Sequence, residues 1–270
     1  MTTMITTPAA TPALAWDHSG HLGLGTRLDG AGPAWFDLAG DVHTFSGVIS
    51  GPKGSGKSTT ARALAAAARA SQVVPLTTLY TDLSGGMENP LLAEIASIPI
   101  LNTTPGTAID LLHDAVEVRA EILRDRGERS LAGTELPVIL AVVEGADRIV
   151  GNRPQRWMWV ARRARKLNIA LLPILIQDDN PNLAGQRPPW RLLSSTNRIQ
   201  MRGSRTLAGI ARIRDAVGNE HDTQVPYLAD GDPWLRTEIA PDDALDPATA
   251  TVFDGFYIAP PTPVRRDLWP

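Results

Sequence analysis

The sequence contains no cysteine, which excludes disulfide bonds and thiolate metal sites. No apolar run approaches the ~20 residues that cross a bilayer, and the N-terminus lacks a charged segment followed by an apolar one. These absences predict a cytoplasmic protein without a membrane span of its own. Histidine is scarce and scattered, and we expect no protein zinc site. The five histidines are His18, His21, His43, His113 and His221.

The chain also lacks an excess of positive charge. Its 26 Lys and Arg residues nearly balance 29 Asp and Glu residues, which gives a formal net charge of -3. This balance excludes a wholly basic nucleic-acid binder but leaves room for a local basic patch. A length of 270 residues with 43% hydrophobic content is sufficient for a soluble globular protein with a sizeable core.

The composition divides the chain into three parts. Residues 1–20 begin with a stretch rich in Thr, Ala and Pro that has almost no large apolar groups, and we expect a disordered leader there. Residues 21–235 form the predicted folded domain. Residues 236–270 are acidic and rich in proline, so we expect an irregular tail that lies over the domain or is partly mobile.

Within the predicted domain, apolar runs alternate with helical patterns. Two extended runs between His21 and Asp37 flank Asp29-Gly30-Ala31-Gly32, which predicts a hairpin. The predicted strands then cover residues 44–49, 76–80, 138–143, 169–176 and 198–201, and the predicted helices cover residues 57–70, 108–126 and 156–167. Continuous apolar strands separated by helices predict an α/β fold, with a mainly parallel sheet covered by helices on both faces.

The sharpest motif follows the strand at residues 44–49. The letters GPKGSGKS at residues 51–58 fit the phosphate-binding pattern G-x-x-x-x-G-K-[ST], and a strand and a helix flank them as the motif requires. Glycines let backbone N–H groups turn toward phosphate oxygens, and the N-terminus of the following helix adds partial positive charge. We therefore predict a nucleoside triphosphate site. Its predicted binding residues are Gly51, Pro52, Lys53, Gly54, Ser55, Gly56, Lys57, Ser58 and Thr59.

Two side chains of this loop have predicted roles of their own. Lys57 would reach the β- and γ-phosphates, and the Ser58 hydroxyl would ligate Mg²⁺. The predicted cofactors are ATP and Mg²⁺.

Shorter segments surround the loop in a recognisable order. They are Ala34-Trp35-Phe36-Asp37-Leu38-Ala39, His43, Thr81-Asp82, Leu111-Leu112, Glu117-Val118-Arg119, Glu144-Gly145-Ala146-Asp147, residues 162–177 and Gly231-Asp232. Over residues 22–235 the chain resembles the FtsK/SpoIIIE family of DNA translocases, specifically its small actinobacterial plasmid and phage members. The resemblance implies a RecA-like P-loop NTPase domain in a homo-oligomer, expected to be a hexamer. It would hydrolyse ATP to move double-stranded DNA in plasmid or phage transfer or segregation, with room for a membrane-bound partner.

The acidic strand departs from the family pattern. The family ends this strand with Asp-Glu, whereas Val143-Glu144 stands here. By the resemblance, Glu144 is either the catalytic base that polarises the attacking water or a Mg²⁺ ligand that has moved into the metal position. Otherwise it is a solvated acid at a strand end. Asp82 and Asp147 either supply the missing carboxylate or serve in capping and surface pairing.

A second departure follows Gln177, at the end of the strand predicted for residues 169–176. The resemblance makes Gln177 a γ-phosphate sensor, and hence a third catalytic residue beside Lys57 and Glu144. The alternative is a strand-terminal polar residue without such a role. The family follows this glutamine with Arg-Pro, whereas Asp178 and Asp179 follow it here.

A basic cluster surrounds the helix predicted for residues 156–167. Its members are Arg153, Arg156, Arg162, Arg163, Arg165 and Lys166. Three interpretations remain open: a solvated or ion-paired face, contact with DNA phosphates, and a subunit interface with an arginine that reaches a neighbour's nucleotide. Trp157 and Trp159 on the same helix are expected to anchor the core or an interface.

Three functional classes follow from these observations. The first is an ATP-dependent DNA-translocating motor domain. The second is a nucleotide-binding regulatory or assembly subunit that hydrolyses poorly, which Val143 favours. The third is a small-molecule phosphotransferase, for which the sequence offers no substrate lid or acceptor site.

Overall fold

The structure is a computed structural model and describes residues 20–69, 74–175, 193, 197–202, 209–228, 232 and 244–257. Nearly all of the predicted leader lies outside these ranges. So do Gln177, Asp178, Asp179 and Gly231.

Ten strands of the described residues form one sheet, in the order β2-β1-β10-β9-β8-β3-β7-β6-β4-β5. The six strands from β8 to β5 run parallel to one another, and the other four extend the sheet in antiparallel fashion beyond β8. The strands are β1 (His21–Arg27), β2 (Pro33–Asp37), β3 (Gly47–Ser50), β4 (Leu76–Asp82), β5 (Ile98–Leu101), β6 (Val138–Val143), β7 (Ile169–Leu175), β8 (Asn197–Arg202), β9 (Ile210–Arg214) and β10 (Glu220–Gln224).

Helices cover both faces of this sheet. They are α1 (Lys57–Arg69), α2 (Pro90–Ile95), α3 (Pro105–Arg126), α4 (Ala146–Asn152), α5 (Pro154–Arg163), which a 3₁₀ turn (Ala164–Lys166) continues, and α6 (Pro247–Val252). No helix that the structure describes is both long and apolar enough to cross a membrane.

Strand β6 explains why the core has two halves. Successive side chains of a strand point to opposite faces. Leu140 and Val142 pack in one buried cluster with the alanines of α1, whereas Ile139, Ala141 and Val143 pack in a second cluster with α3, α4 and α5. Because both faces are covered, every residue of β6 is buried. The predicted α/β fold, with a mainly parallel sheet between two helical layers, is confirmed.

The predicted hairpin is also present. Strands β1 and β2 pair antiparallel around a turn in which the Asp29 carboxylate accepts the N–H of Ala31, at 3.0 Å. Gly30 and Gly32 in this turn have φ values of 75° and 106°. Such left-handed conformations favour glycine, which is why this segment is recognisable from sequence.

Short elements escaped the sequence prediction. Helix α2 has six residues and β5 has four, and α4, β9 and β10 are of similar length. Such elements contain too few turns or alternations for a periodic signal to stand out.

The tail differs from the expectation of irregular structure, because α6 lies within it. Pro247 occupies the first turn of α6, where no intrahelical N–H bond is lost, and the Asp246 carboxylate caps the N–H of Thr249 at 2.9 Å. The Nε of Arg119 on α3 donates to the Thr249 hydroxyl at 3.0 Å, and its Nη2 lies 3.3 Å from the Asp246 carboxylate. Arg119 is fully buried, and this burial lowers its pKa to about 10.

Candidate nucleotide site

The phosphate loop leaves the carboxyl end of β3 and enters α1 at Lys57. A Cβ on Gly51 would lie 2.7 Å from the carbonyl oxygen of Met201 on neighbouring β8, so a side chain does not fit there. Gly56, the second glycine of the motif, has a φ of 99°, in the left-handed region. Steric approach thus demands the first glycine and backbone conformation demands the second, which accounts for the spacing of the motif.

Lys57 is held against its own loop. Its ammonium donates to the Pro52 carbonyl at 2.8 Å, and the side chain is nearly buried. Burial lowers the pKa of Lys57, and the nearby carboxylates of Glu144 and Asp147 oppose this shift. An ammonium with three N–H donors can exchange this carbonyl for phosphate oxygens without losing hydrogen bonds.

The residue after Lys57 contacts the acidic strand. The Ser58 hydroxyl donates to Oε1 of Glu144 at 3.3 Å. Glu144 follows the last residue of β6, and its N–H donates to the Thr81 carbonyl of adjacent β4 at 3.0 Å. Asn89, the cap of α2, donates from its side-chain amide to the Ser58 carbonyl at 2.7 Å. The sheet edge and α2 therefore fix the relative position of Ser58 and Glu144.

Glu144 is a buried carboxyl group in an acidic environment. Burial, together with the charges of Asp82 and Glu88, raises its pKa to about 7, and the Ser58 hydrogen bond and Lys57 limit this shift. Its second oxygen, Oε2, is buried and has no hydrogen-bond partner in the described part of the chain. An unpartnered carboxylate oxygen beside a serine hydroxyl fits the oxygen ligands that Mg²⁺ prefers. When bound here, Mg²⁺ would neutralise phosphate charge.

These side chains line one cavity of about 260 Å³ at the carboxyl ends of the parallel strands. Its polar and charged members are Lys53, Lys57, Ser58, Asp82, Ser84, Glu88, Glu144 and Arg148. The carboxyl edge is where open α/β sheets place their ligands. Four of the predicted loop residues, Lys53, Gly54, Lys57 and Ser58, thus line one cavity together with Glu144.

The acidic strand β6 is not a direct neighbour of the phosphate-loop strand β3. Strand β7 separates β3 from β6, and its Ile174 lines the cavity between them. Glu144 still contacts Ser58 because it extends beyond the end of its strand. Gln177, the predicted γ-phosphate sensor, lies two residues past β7 and outside the described residues.

Val143 does not face the loop. It is fully buried in the cluster formed with α3, α4 and α5, on the face of the sheet opposite to α1. Because side chains alternate along a strand, Glu144 lies on the same face of the sheet as Val142, the face that α1 covers. A side chain at position 143 therefore points away from the site, and Glu144 occupies the position nearest to Ser58.

The two alternative carboxylates have different surroundings. Asp82 is buried, and it accepts the N–H and hydroxyl of Ser84 at 2.8 and 2.6 Å and the N–H of Glu88 at 3.2 Å. It shapes the turn between β4 and α2 while it lines the cavity. Asp147 lies in the first turn of α4, and its charge opposes the lowering of the Lys57 pKa by burial.

Two charged residues of the cavity were missed by the sequence analysis. Glu88 lies in the turn between β4 and α2, and no sequence signal marks it. Arg148 follows Glu144 by four residues on α4, so the acidic motif itself could have indicated it. Both side chains are exposed and line the cavity.

The basic cluster around α5 is partly ion-paired. Arg153 contacts the Asp110 carboxylate of α3 at 2.7 Å, and Arg156 contacts the same carboxylate. The Arg163 guanidinium lies 4.2 Å from the centre of the Trp159 ring. Trp157 is fully buried and anchors the core, as expected. All members of the cluster except the half-buried Arg156 are exposed, and for the cluster DNA contact and a subunit interface stay predictions.

The loop, the helix that follows it and the acidic strand two positions along a parallel sheet define the fold of a P-loop NTPase.

No family model matches the chain, and no curated protein matches it. Solved structures do match. The cytoplasmic domain of the type VII secretion ATPase EccC from Thermomonospora curvata superposes with a TM-score of 0.61 at 18% identity, covering 91% of this chain and 33% of that one.

Two further structures agree. ATPases 2 and 3 of EssC from Geobacillus thermodenitrificans give a TM-score of 0.59 at 17% identity, covering 92% of this chain and 51% of that one. ATPases 2 and 3 of T. curvata EccC, in complex with a signal sequence peptide, give 0.53 at 18% identity and cover 96% and 52%. This chain therefore spans between a third and about half of these neighbours. The likeness confirms the RecA-like fold.

Proposed function

We propose that this domain binds Mg²⁺·ATP and hydrolyses it as a motor domain of the FtsK/SpoIIIE type. The observation that carries the proposal is the hydrogen bond from Ser58 to Glu144 at the carboxyl edge of a parallel sheet. It joins the phosphate loop to the acidic strand, and both are parts that phosphoryl transfer to water requires.

Each residue has a part in this proposal. The backbone N–H groups of residues 51–58 bind phosphate oxygens, and Lys57 leaves the Pro52 carbonyl to contact the β- and γ-phosphates. Ser58 and Glu144 hold Mg²⁺. Glu88, which lines the same cavity and is exposed, is positioned to orient water. Gln177 keeps its proposed role as γ-phosphate sensor.

A second candidate is a nucleotide-binding regulatory or assembly subunit that hydrolyses slowly. Three observations favour it. Val143 points away from the site. Glu144 is hydrogen-bonded to the Ser58 hydroxyl, the group expected to bind Mg²⁺, so Glu144 is placed as a metal ligand and not as the base that polarises water. Asp82 is already bonded to Ser84 and to the N–H of Glu88. Among the described residues that line the cavity, Glu88 is then the carboxylate left to polarise water, and a neighbouring subunit is the alternative source.

The polymer that the motor moves has two candidates. The sequence resemblance supports double-stranded DNA, together with a hexameric ring acting in plasmid or phage DNA movement. One structural neighbour is a secretion ATPase in complex with a signal sequence peptide, which supports a polypeptide instead. Two of the neighbours are described as cytoplasmic domains, and we propose the same compartment here, with a membrane-bound partner.

The test is ATP hydrolysis by the purified chain, alone, with double-stranded DNA and with an extended peptide. Stimulation by DNA selects the DNA motor, stimulation by peptide selects a protein translocase, and tight binding without turnover selects the regulatory subunit. Lys57→Ala is the matched control. It should weaken ATP affinity by about tenfold or more, equivalent to roughly 1.4 kcal/mol, because it removes the cation next to the phosphates. Equal ATP affinity of mutant and wild type by calorimetry would contradict the proposed site.

A further inference from the structure

We infer that Arg148 contacts the terminal phosphate and thereby distinguishes ATP from ADP. This rests on the proposed ATP site, because Arg148 lines the same cavity as Lys57, Ser58 and Glu144. The Arg148 side chain is exposed, and in the described part of the chain no hydrogen bond or ion pair engages its guanidinium. A cation at a phosphate site without a protein partner is available to a ligand.

The turn from β6 into α4 fixes the backbone position of Arg148. Gly145 has a φ of 60°, which turns the chain sharply from β6 into α4, and the Arg148 N–H donates to the Gly145 carbonyl at 2.9 Å. The next two residues, Ile149 and Val150, are buried in the core and hold α4 in place. Arg148 is therefore fixed through its backbone one helical turn beyond Glu144, while its long side chain is free to adjust.

The position of Arg148 selects the terminal phosphate over the others. The loop backbone binds the phosphates next to the nucleoside, so the terminal phosphate extends away from the loop and toward the metal ligands. Arg148 approaches the cavity from the β6 side, one helical turn after Glu144, whereas Lys57 approaches it from the phosphate loop. A guanidinium binds phosphate oxygens through paired N–H donors, so Arg148 suits the γ-phosphate.

The other arginines nearby do not compete for this role. Arg153 and Arg156 are both held by Asp110 on α3. The three carboxylates that line the cavity, Asp82, Glu88 and Glu144, oppose three cations, Lys53, Lys57 and Arg148. Phosphate binding adds negative charge to this balance, and an unpaired arginine inside the cavity is the group best placed to neutralise it.

The experiment measures the affinity of the full chain for Mg²⁺·ADP and for Mg²⁺ with a non-hydrolysable ATP analogue, by calorimetry. Arg148→Gln should weaken binding of the analogue by about tenfold or more and change ADP affinity by less than about twofold. Arg148→Lys should restore part of the loss, because it restores the charge without the paired donors. Arg129→Gln is the matched control, an exposed arginine after α3 at the opposite edge of the sheet, and should change neither affinity.

The outcomes separate this inference from the proposed function. If the wild type binds neither nucleotide, the ATP site itself is wrong and the inference is overturned with it. If the wild type binds both and Arg148→Gln weakens neither, only the role of Arg148 is overturned. Equal weakening of ADP and of the analogue also overturns it, because the contact would then lie at a phosphate common to both. Arg148→Gln should melt at the wild-type temperature, which shows that the loss is not one of folding.

Discussion

The Ser58 hydroxyl donates a hydrogen bond of 3.3 Å to the Glu144 carboxylate, 86 residues later in the chain. This contact brings the start of α1 to the end of β6 although β7 lies between β3 and β6. It places Glu144 on the metal side of the site, and the first prediction follows from it.

Glu144→Gln should reduce the Mg²⁺-dependent part of ATP affinity, because an amide is a weaker ligand for Mg²⁺ than a carboxylate. Affinity measured in EDTA should be unchanged. Ser58→Ala should give the same pattern, and the double variant should lose little more than either single one, since both act through one metal. If Glu144→Gln instead keeps full Mg²⁺-dependent affinity and abolishes turnover, Glu144 is the catalytic base.

The second prediction concerns pH in the nucleotide-free, metal-free protein. Burial raises the pKa of Glu144 from 4.5 to about 7, so the folded state holds this proton more tightly than the unfolded chain does. The Glu144 contribution therefore destabilises the fold as pH rises from about 4.5 through about 7. The full difference, about 3 kcal/mol, is present above this window.

Glu144→Gln removes the titrating group, so it should stabilise the apo protein more at about pH 8 than at about pH 5. Urea denaturation in EDTA at both pH values measures this difference. An effect of the substitution that is equal at the two pH values would show that Glu144 does not titrate in this range.

Val143→Asp should destabilise the protein by about 3 kcal/mol or more, because it places a carboxylate in an apolar cluster without a partner. It should not raise ATP turnover, since the side chain points away from the phosphate loop. Val143→Ala is the control, with a smaller loss that stems from the cavity alone. Increased turnover of a stably folded Val143→Asp protein would show that position 143 does face the metal.

The attachment of α6 gives the fourth prediction. Arg119→Met should cost about 3 kcal/mol of unfolding free energy, since it leaves Asp246 near the core without its cationic partner. Arg119→Met combined with Asp246→Asn should recover part of that loss, because no charge then remains unpaired. Denaturant titration of the wild type, both single variants and the double variant measures the coupling. Wild-type stability of Arg119→Met would mean that this ion pair does not hold α6 on α3.

The sequence by itself determined the phosphate loop and the layered α/β fold. Gly51 and Gly56 are required by local sterics and backbone conformation, and the continuous apolar run of β6 is required by burial on both faces. Such features depend on neighbours in the chain, so pattern and spacing reveal them.

Only the tertiary structure decided how the site is assembled. The strand order places β7 between β3 and β6. The packing of β6 between two helical layers leaves Val143 on the face opposite to α1 and brings Glu144 to Ser58. It also places Arg148 in the cavity and folds part of the tail against Arg119. These relationships join residues far apart in the chain. A single sequence does not encode them locally, because they depend on which elements pack together.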